Sequence, residues 1–124
     1  MSIRRPEEMH AVFCARYNAG DLDGLVALYE PNAKLVPQPG QEVQGREAVR
    51  AGLQGFLALM PHLDMTTRYV LATGDTAVIS GQWKLTGTGP GGTAAEMTGK
   101  SVEVLRRQPD GTWLFVLDHP FGAD

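Results

Sequence analysis

Tyr17-Asn18-Ala19-Gly20-Asp21-Leu22-Asp23-Gly24-Leu25-Val26-Ala27-Leu28-Tyr29-Glu30-Pro31-Asn32-Ala33 reads as the end of one helix, a tight turn, a second short helix and the approach to a strand. Gly20 stops the first helix. Asp21 can cap the second by accepting from the free N–H groups of its first turn. Leu22, Leu25, Val26, Leu28 and Tyr29 make an apolar stripe too short to be stable in isolation, so this helix must pack on something. Pro31 and Asn32 break it. Ala33 to Pro37 alternate as one short strand, followed by a Pro- and Gly-rich loop from Pro37 to Gly45.

Upstream, Pro6-Glu7-Glu8 is a helix start, with Pro in the first turn and carboxylates at the positive end of the dipole. Met9, Val12, Phe13 and Tyr17 fall on one face of that helix. Downstream, a third helix begins near Arg46, buries Val49, Leu53, Phe56, Leu57 and Met60, and stops at Pro61. Gly52 and Gly55 each cost this helix roughly 1 kcal/mol relative to Ala, which implies that another backbone passes close by.

From residue 63 the pattern has period two, with turns at Thr73-Gly74-Asp75, Gly87 to Gly92 and Gln108-Pro109-Asp110-Gly111. Four further strands follow, paired antiparallel with their neighbours. Helices first and a strand meander afterwards make an α+β domain, a curved antiparallel sheet packed on helices at one face. In the last strand Trp113, Phe115 and Leu117 occupy one side and Leu114 and Val116 the other, so neither side looks solvated. Helices cover one face, and a second copy of the sheet is the simplest cover for the other, which predicts a homodimer.

The chain has 124 residues, a net charge of −3 and one cysteine, and is expected to form one domain over residues 1–124. Cys14 has no partner for an intramolecular disulfide, which points to a reducing, cytoplasmic setting. Residues 1–8 read as a simple leader without the apolar core of a signal peptide. With no Lys/Arg cluster and no long apolar run, neither a nucleic acid nor a membrane is an expected partner. His10, His62 and His119 lack metal-ligand spacing, and Gly87 to Gly92 lacks the ending of a phosphate loop, so no metal or cofactor is expected.

Four segments together, Tyr17 to Asp23, Leu28 to Ala33, Gly45 to Val49 and Val104 to Trp113, resemble the nuclear transport factor two-like superfamily on its SnoaL-like and ketosteroid-isomerase-like side. The resemblance implies a cone-shaped curved sheet wrapped by three helices, usually dimeric, around a mostly apolar cavity. It does not imply one activity. Ketosteroid isomerization needs a carboxylate base and an oxyanion hole built from a tyrosine and a protonated acid. By the same resemblance the tyrosine position falls at Phe13, which has no hydroxyl. The base position falls in Ala33 to Gly40, which holds no carboxylate. Glu103 alone keeps the third group, so steroid-type enolization is not expected.

The resemblance further implies that Ile79, Trp83, Leu85, Glu103, Leu105, Leu114, Val116 and Asp118 line the cavity from the strands and Phe13 and Tyr17 from the first helix. Glu103 is then a candidate catalytic acid with a raised pKa, or else a sheet-edge partner of Arg68 or Arg106. Asp118 is its candidate partner, or a cap on the chain's exit from the strand. His119 is the one histidine expected near the cavity, although neighbours in a strand face opposite ways unless a bulge intervenes. The expected ligand is a small apolar or oxygenated, polyketide- or steroid-like molecule. Two function classes follow: a binding site with cofactor-free isomerase, cyclase or hydratase chemistry, or a non-enzymatic association domain.

Overall fold

The computed structural model describes residues 2–124, Pro90 by its backbone alone. A 3-10 turn, Pro6–Glu8, leads into helix α1, Met9–Asn18, then α2, Leu22–Val26. Strands β1, Tyr29–Gln38, and β2, Gln41–Gln44, precede helix α3, Arg46–Leu59. Then come β3, His62–Thr73, β4, Thr76–Thr88, β5, Ala94–Lys100, β6, Val102–Arg107, and β7, Trp113–His119. The seven strands form one sheet in the order β2-β1-β7-β6-β4-β3, with β5 paired to β4.

The opening segment folds much as its residues dictate. Gly20 takes a φ of 69°, and Asp21 accepts from the backbone N–H of Gly24 at 2.9 Å. Leu28 and Tyr29, however, have left the helix, and Tyr29 opens β1, so Pro31 and Asn32 lie inside a strand. That strand is ten residues long rather than five. Its start is held by Arg46, whose Nε and Nη2 donate to the Tyr29 carbonyl at 2.9 and 2.6 Å, while the Gly45 N–H donates to the Ala33 carbonyl at 2.9 Å. Asn18 fastens α1 to β3 by accepting from the Leu63 N–H and donating to its carbonyl, at 2.7 and 2.9 Å.

Among the described residues six strand pairs form, five antiparallel and one parallel. The parallel pair is β1 with β7, so the curved sheet is mixed where an antiparallel one was expected. β2 was also not anticipated. It lies in the polar stretch read as loop, and pairs only with β1 at the sheet edge. β5 and β6 both pair with β4 and are separated by Ser101, whose Oγ accepts from the Gly81 N–H and whose N–H donates to the Gly81 carbonyl.

Two other expectations need correction. No backbone presses on the α3 glycines: a Cβ at Gly52 would meet Leu35 Cδ2 at 3.1 Å, and one at Gly55 would meet nothing within 4 Å. The supposed leader is partly core. Ile3 is 1% exposed and its carbonyl accepts from the Trp113 N–H at 2.8 Å; Met1 lies outside the described residues.

Candidate functional site

A cavity opens between the helices and the concave face of the sheet. Its volume is about 60 Å³. Helix α1 contributes His10, Phe13 and Tyr17, and α3 contributes Leu53 and Phe56. Leu35, Leu63, Met65, Trp83, Leu85 and Phe115 complete an apolar wall. Against it stand four polar side chains, His10, Ser101, Glu103 and Asp118, each buried.

The two carboxylates meet because of register. Glu103 on β6 pairs directly with Asp118 on β7, and Ile79 on β4 pairs with Glu103 from the other side. A bulge makes this possible. Val104 pairs with Leu117 and Leu105 with Phe115, which leaves Val116 as an extra residue in β7. In an unbroken strand residues 115 and 118 would face opposite ways. With Val116 inserted, Phe115 and Asp118 both reach the cavity.

Each carboxyl has partners. His10 Nε2 lies 2.9 and 3.2 Å from the two oxygens of Glu103, and Ser101 Oγ donates to Glu103 Oε1 at 2.9 Å. The other ring nitrogen of His10 lies 2.9 Å from Thr67 Oγ1. Tyr29 Oη donates to Asp118 Oδ2 at 2.5 Å. Burial pushes the Asp118 carboxyl up to about 7, and the charge of Glu103 pushes the same way; the Tyr29 hydrogen bond and His10 oppose them. Burial, joined by Asp118, holds the Tyr29 phenol well above its ordinary value. Asp118 can therefore carry a proton at neutral pH and give it up there.

Phe13, Tyr17, Trp83, Leu85, Glu103 and Asp118 thus lie together on the cavity wall. Glu103 contacts neither arginine suggested for it, since Arg106 pairs with Glu30 and Arg68 donates to Ser80 Oγ. Ile79 and Leu105 are fully buried in the core and not on the wall. Leu114 and Val116 are corrected off the cavity, because the bulge gives their inward place to Phe115. His119 is corrected likewise. It pairs with Val102, next to Asp118 and on the opposite face, with its Nδ1 buried and lacking a hydrogen-bond partner among the described residues. The histidine in the cavity is His10. The spacing of His10, Phe13 and Tyr17, three and then four residues, is the helical signal that could have found it.

Two aromatic side chains shape the walls. Tyr17 Oη donates to the Met60 carbonyl at 2.8 Å, so it secures α3's end rather than a ligand. Trp83 Nε1 donates to the Pro120 carbonyl at 2.7 Å, and its ring meets Phe121 edge-on with centroids 5.4 Å apart.

The model of the SnoaL-like domain matches residues 11–116, and the chain belongs to that family. Epoxide hydrolase LasB of Streptomyces lasalocidi is 35% identical over 74 residues, which are 59% of this chain. The matched part is 26% of LasB, so this chain spans about a quarter of that relative. A ketosteroid isomerase-like protein from Erwinia carotovora atroseptica superposes with a TM-score of 0.78 at 17% identity, over 93% of this chain and 95% of that one. A candidate dehydratase of the NTF2-like family from Streptomyces avermitilis gives 0.73 at 21%, over 92% of each chain. A candidate calcium/calmodulin-dependent protein kinase type II association domain from Thiobacillus denitrificans gives 0.76 at 21%, over 96% and 95%. At these identities the solved structures establish the NTF2-like fold.

The raised Asp118 value has a stability consequence. Between the ordinary value of 3.8 and about 7 the unfolded chain has lost this proton and the folded chain keeps it, so stability falls as pH rises through that window and levels off above it. Asp118→Asn keeps an acceptor for Tyr29 and removes the titration. Denaturant unfolding at a series of pH values should show wild type losing ground to the variant across the window; a constant difference would contradict the assignment.

Proposed function

We propose that the cone binds a small, largely apolar oxygenated molecule and acts on it by cofactor-free acid–base chemistry, with Asp118 as proton donor and Glu103 as proton acceptor. The observation that carries this reading is the register-opposed carboxyl pair on an otherwise apolar wall. Paired carboxyls whose environments differ can divide acid and base roles between them. Epoxide opening fits the pair: Asp118 gives its proton to the epoxide oxygen as the C–O bond breaks, while Glu103 takes one from the attacking water or hydroxyl. Dehydration uses the same two roles: Asp118 protonates the leaving hydroxyl as its C–O bond breaks, and Glu103 takes the proton from the neighbouring carbon as the double bond forms. The name of LasB and that of the Streptomyces avermitilis protein support this class of chemistry.

The cavity limits the ligand. Its wall is apolar apart from His10, Ser101, Glu103 and Asp118, so it suits a largely apolar molecule whose few oxygen groups meet those four side chains. The ketosteroid isomerase route remains unsupported by the residues, since Phe13 has no hydroxyl and Tyr17 is engaged by Met60. A library of small epoxides and tertiary alcohols, assayed for hydration and dehydration products, tests the reading. Turnover that falls about 10²–10⁴-fold in both Glu103→Gln and Asp118→Asn is expected. Stabilisation by ligands without any turnover would reduce the site to a binding site.

A second reading concerns the convex face. Leu71, Val78, Val104 and Leu117 form one cross-strand row there, with Leu71 65% exposed and the other three half-buried. We infer that a second copy covers this row, a reading supported by the likeness to the association domain. Light scattering at micromolar protein should give twice the chain mass, and Leu71→Lys should return it to one; a wild-type monomer would remove this proposal. No helix among the described residues is long and apolar enough to cross a membrane. The unpaired, half-buried Cys14 thiol, pushed up by burial, suits a cytoplasmic setting.

A further inference from the structure

His10 is placed between the cavity and the outside. It is 3% exposed, and its two ring nitrogens face different groups: Nε2 faces the cavity carboxyl of Glu103, and Nδ1 faces Thr67 Oγ1. Thr67 is an exposed residue of β3, the strand at the end of the sheet. The backbone makes room for the ring, since a Cβ at Gly81 would stand 3.0 Å from His10 Cε1. A neutral imidazole donates at one nitrogen and accepts at the other, and a hydroxyl does both, so the three groups can pass a proton in either direction.

We propose that His10 and Thr67 form a proton-exchange path linking Glu103 to solvent at the edge of β3, independent of the cavity mouth. The steps balance. A proton gained by Glu103 passes to Nε2, the Nδ1 proton passes to Thr67 Oγ1, and the Thr67 hydroxyl proton passes to a surface water. One proton leaves the cavity and His10 ends in its other neutral tautomer; the reverse sequence brings one in. The titratable groups facing His10 from the sheet are Glu103, at hydrogen-bond distance, and Asp118, whose carboxyl feels the ring's charge. Arg68, beside Thr67, is engaged with Ser80 Oγ. The path gives the proposed acid–base pair a way to regain its starting protonation while a ligand fills the cone, and in that respect it rests on the reading above. His10 and Thr67 are positioning residues here, since neither would touch the reacting atoms.

The test is solvent exchange of the His10 ring proton, followed by ¹⁵N-resolved NMR in wild type, Thr67→Val and Thr67→Ser. Valine keeps the shape and removes the hydroxyl, and serine keeps the hydroxyl. Exchange should slow up to about tenfold in Thr67→Val, the scale of one lost hydrogen bond between neutral groups, and stay near wild type in Thr67→Ser. An unchanged rate in Thr67→Val, or equal slowing in both variants, overturns the path. This readout needs no substrate: slowed exchange with no turnover on any epoxide or alcohol would keep the path and remove the acid–base function.

Discussion

The extra residue in β7 decides what this cone can contain. Strand alternation would send residues 115 and 118 to opposite faces, and Val116, unpaired between Leu117 and Phe115, brings both inward. Phe115 then packs between Phe13 and Tyr29, with ring centroids 5.9 and 4.7 Å away. Asp118 arrives opposite Glu103 and under the Tyr29 hydroxyl. Without the bulge the cavity wall would keep one of the two acids, and the pair that distinguishes this site would not exist.

Two buried carboxyls are costly unless each is satisfied, and the surrounding residues meet that demand without a lysine or arginine. Glu103 receives His10 and Ser101, and Asp118 receives Tyr29. Ser101 serves the backbone as well, because its Oγ accepts from Gly81 where β5 and β6 divide. The residue that separates β5 from β6 therefore also supplies a hydrogen bond to the site. Asp118 meets the remaining demand by retaining its proton to about pH 7. A buried acid beside a second carboxyl that has partners of its own is the arrangement on which the proposed acid–base chemistry rests.

Much of the scaffold was legible because its signals are local. Gly20, Asp21 and the turn at Asp110-Gly111 act within a few residues of themselves, and each ends or begins an element where expected. The readings that failed required distant partners. Tyr29 continues the apolar stripe of α2 in sequence, yet β7 and Arg46 draw it into a strand. β2 has no apolar alternation and exists through pairing with β1. In the site, Glu103 and Asp118 were directed to the cavity by the fold's resemblance, whereas Leu114 and Val116 were directed there by an alternation that a bulge interrupts and no local residue announces; His119 lies where alternation with Asp118 puts it, on the other face. His10 was overlooked although its spacing to Phe13 and Tyr17 was readable, because a single buried histidine is informative only once its partners are known.

The site depends on Asp118 holding a proton at neutral pH against the charge of Glu103. A carbon-detected NMR titration of the Asp118 carboxyl measures this directly. A midpoint near 7 is predicted. A midpoint near the ordinary 3.8 would contradict it, because Asp118 would then have no proton to give at neutral pH.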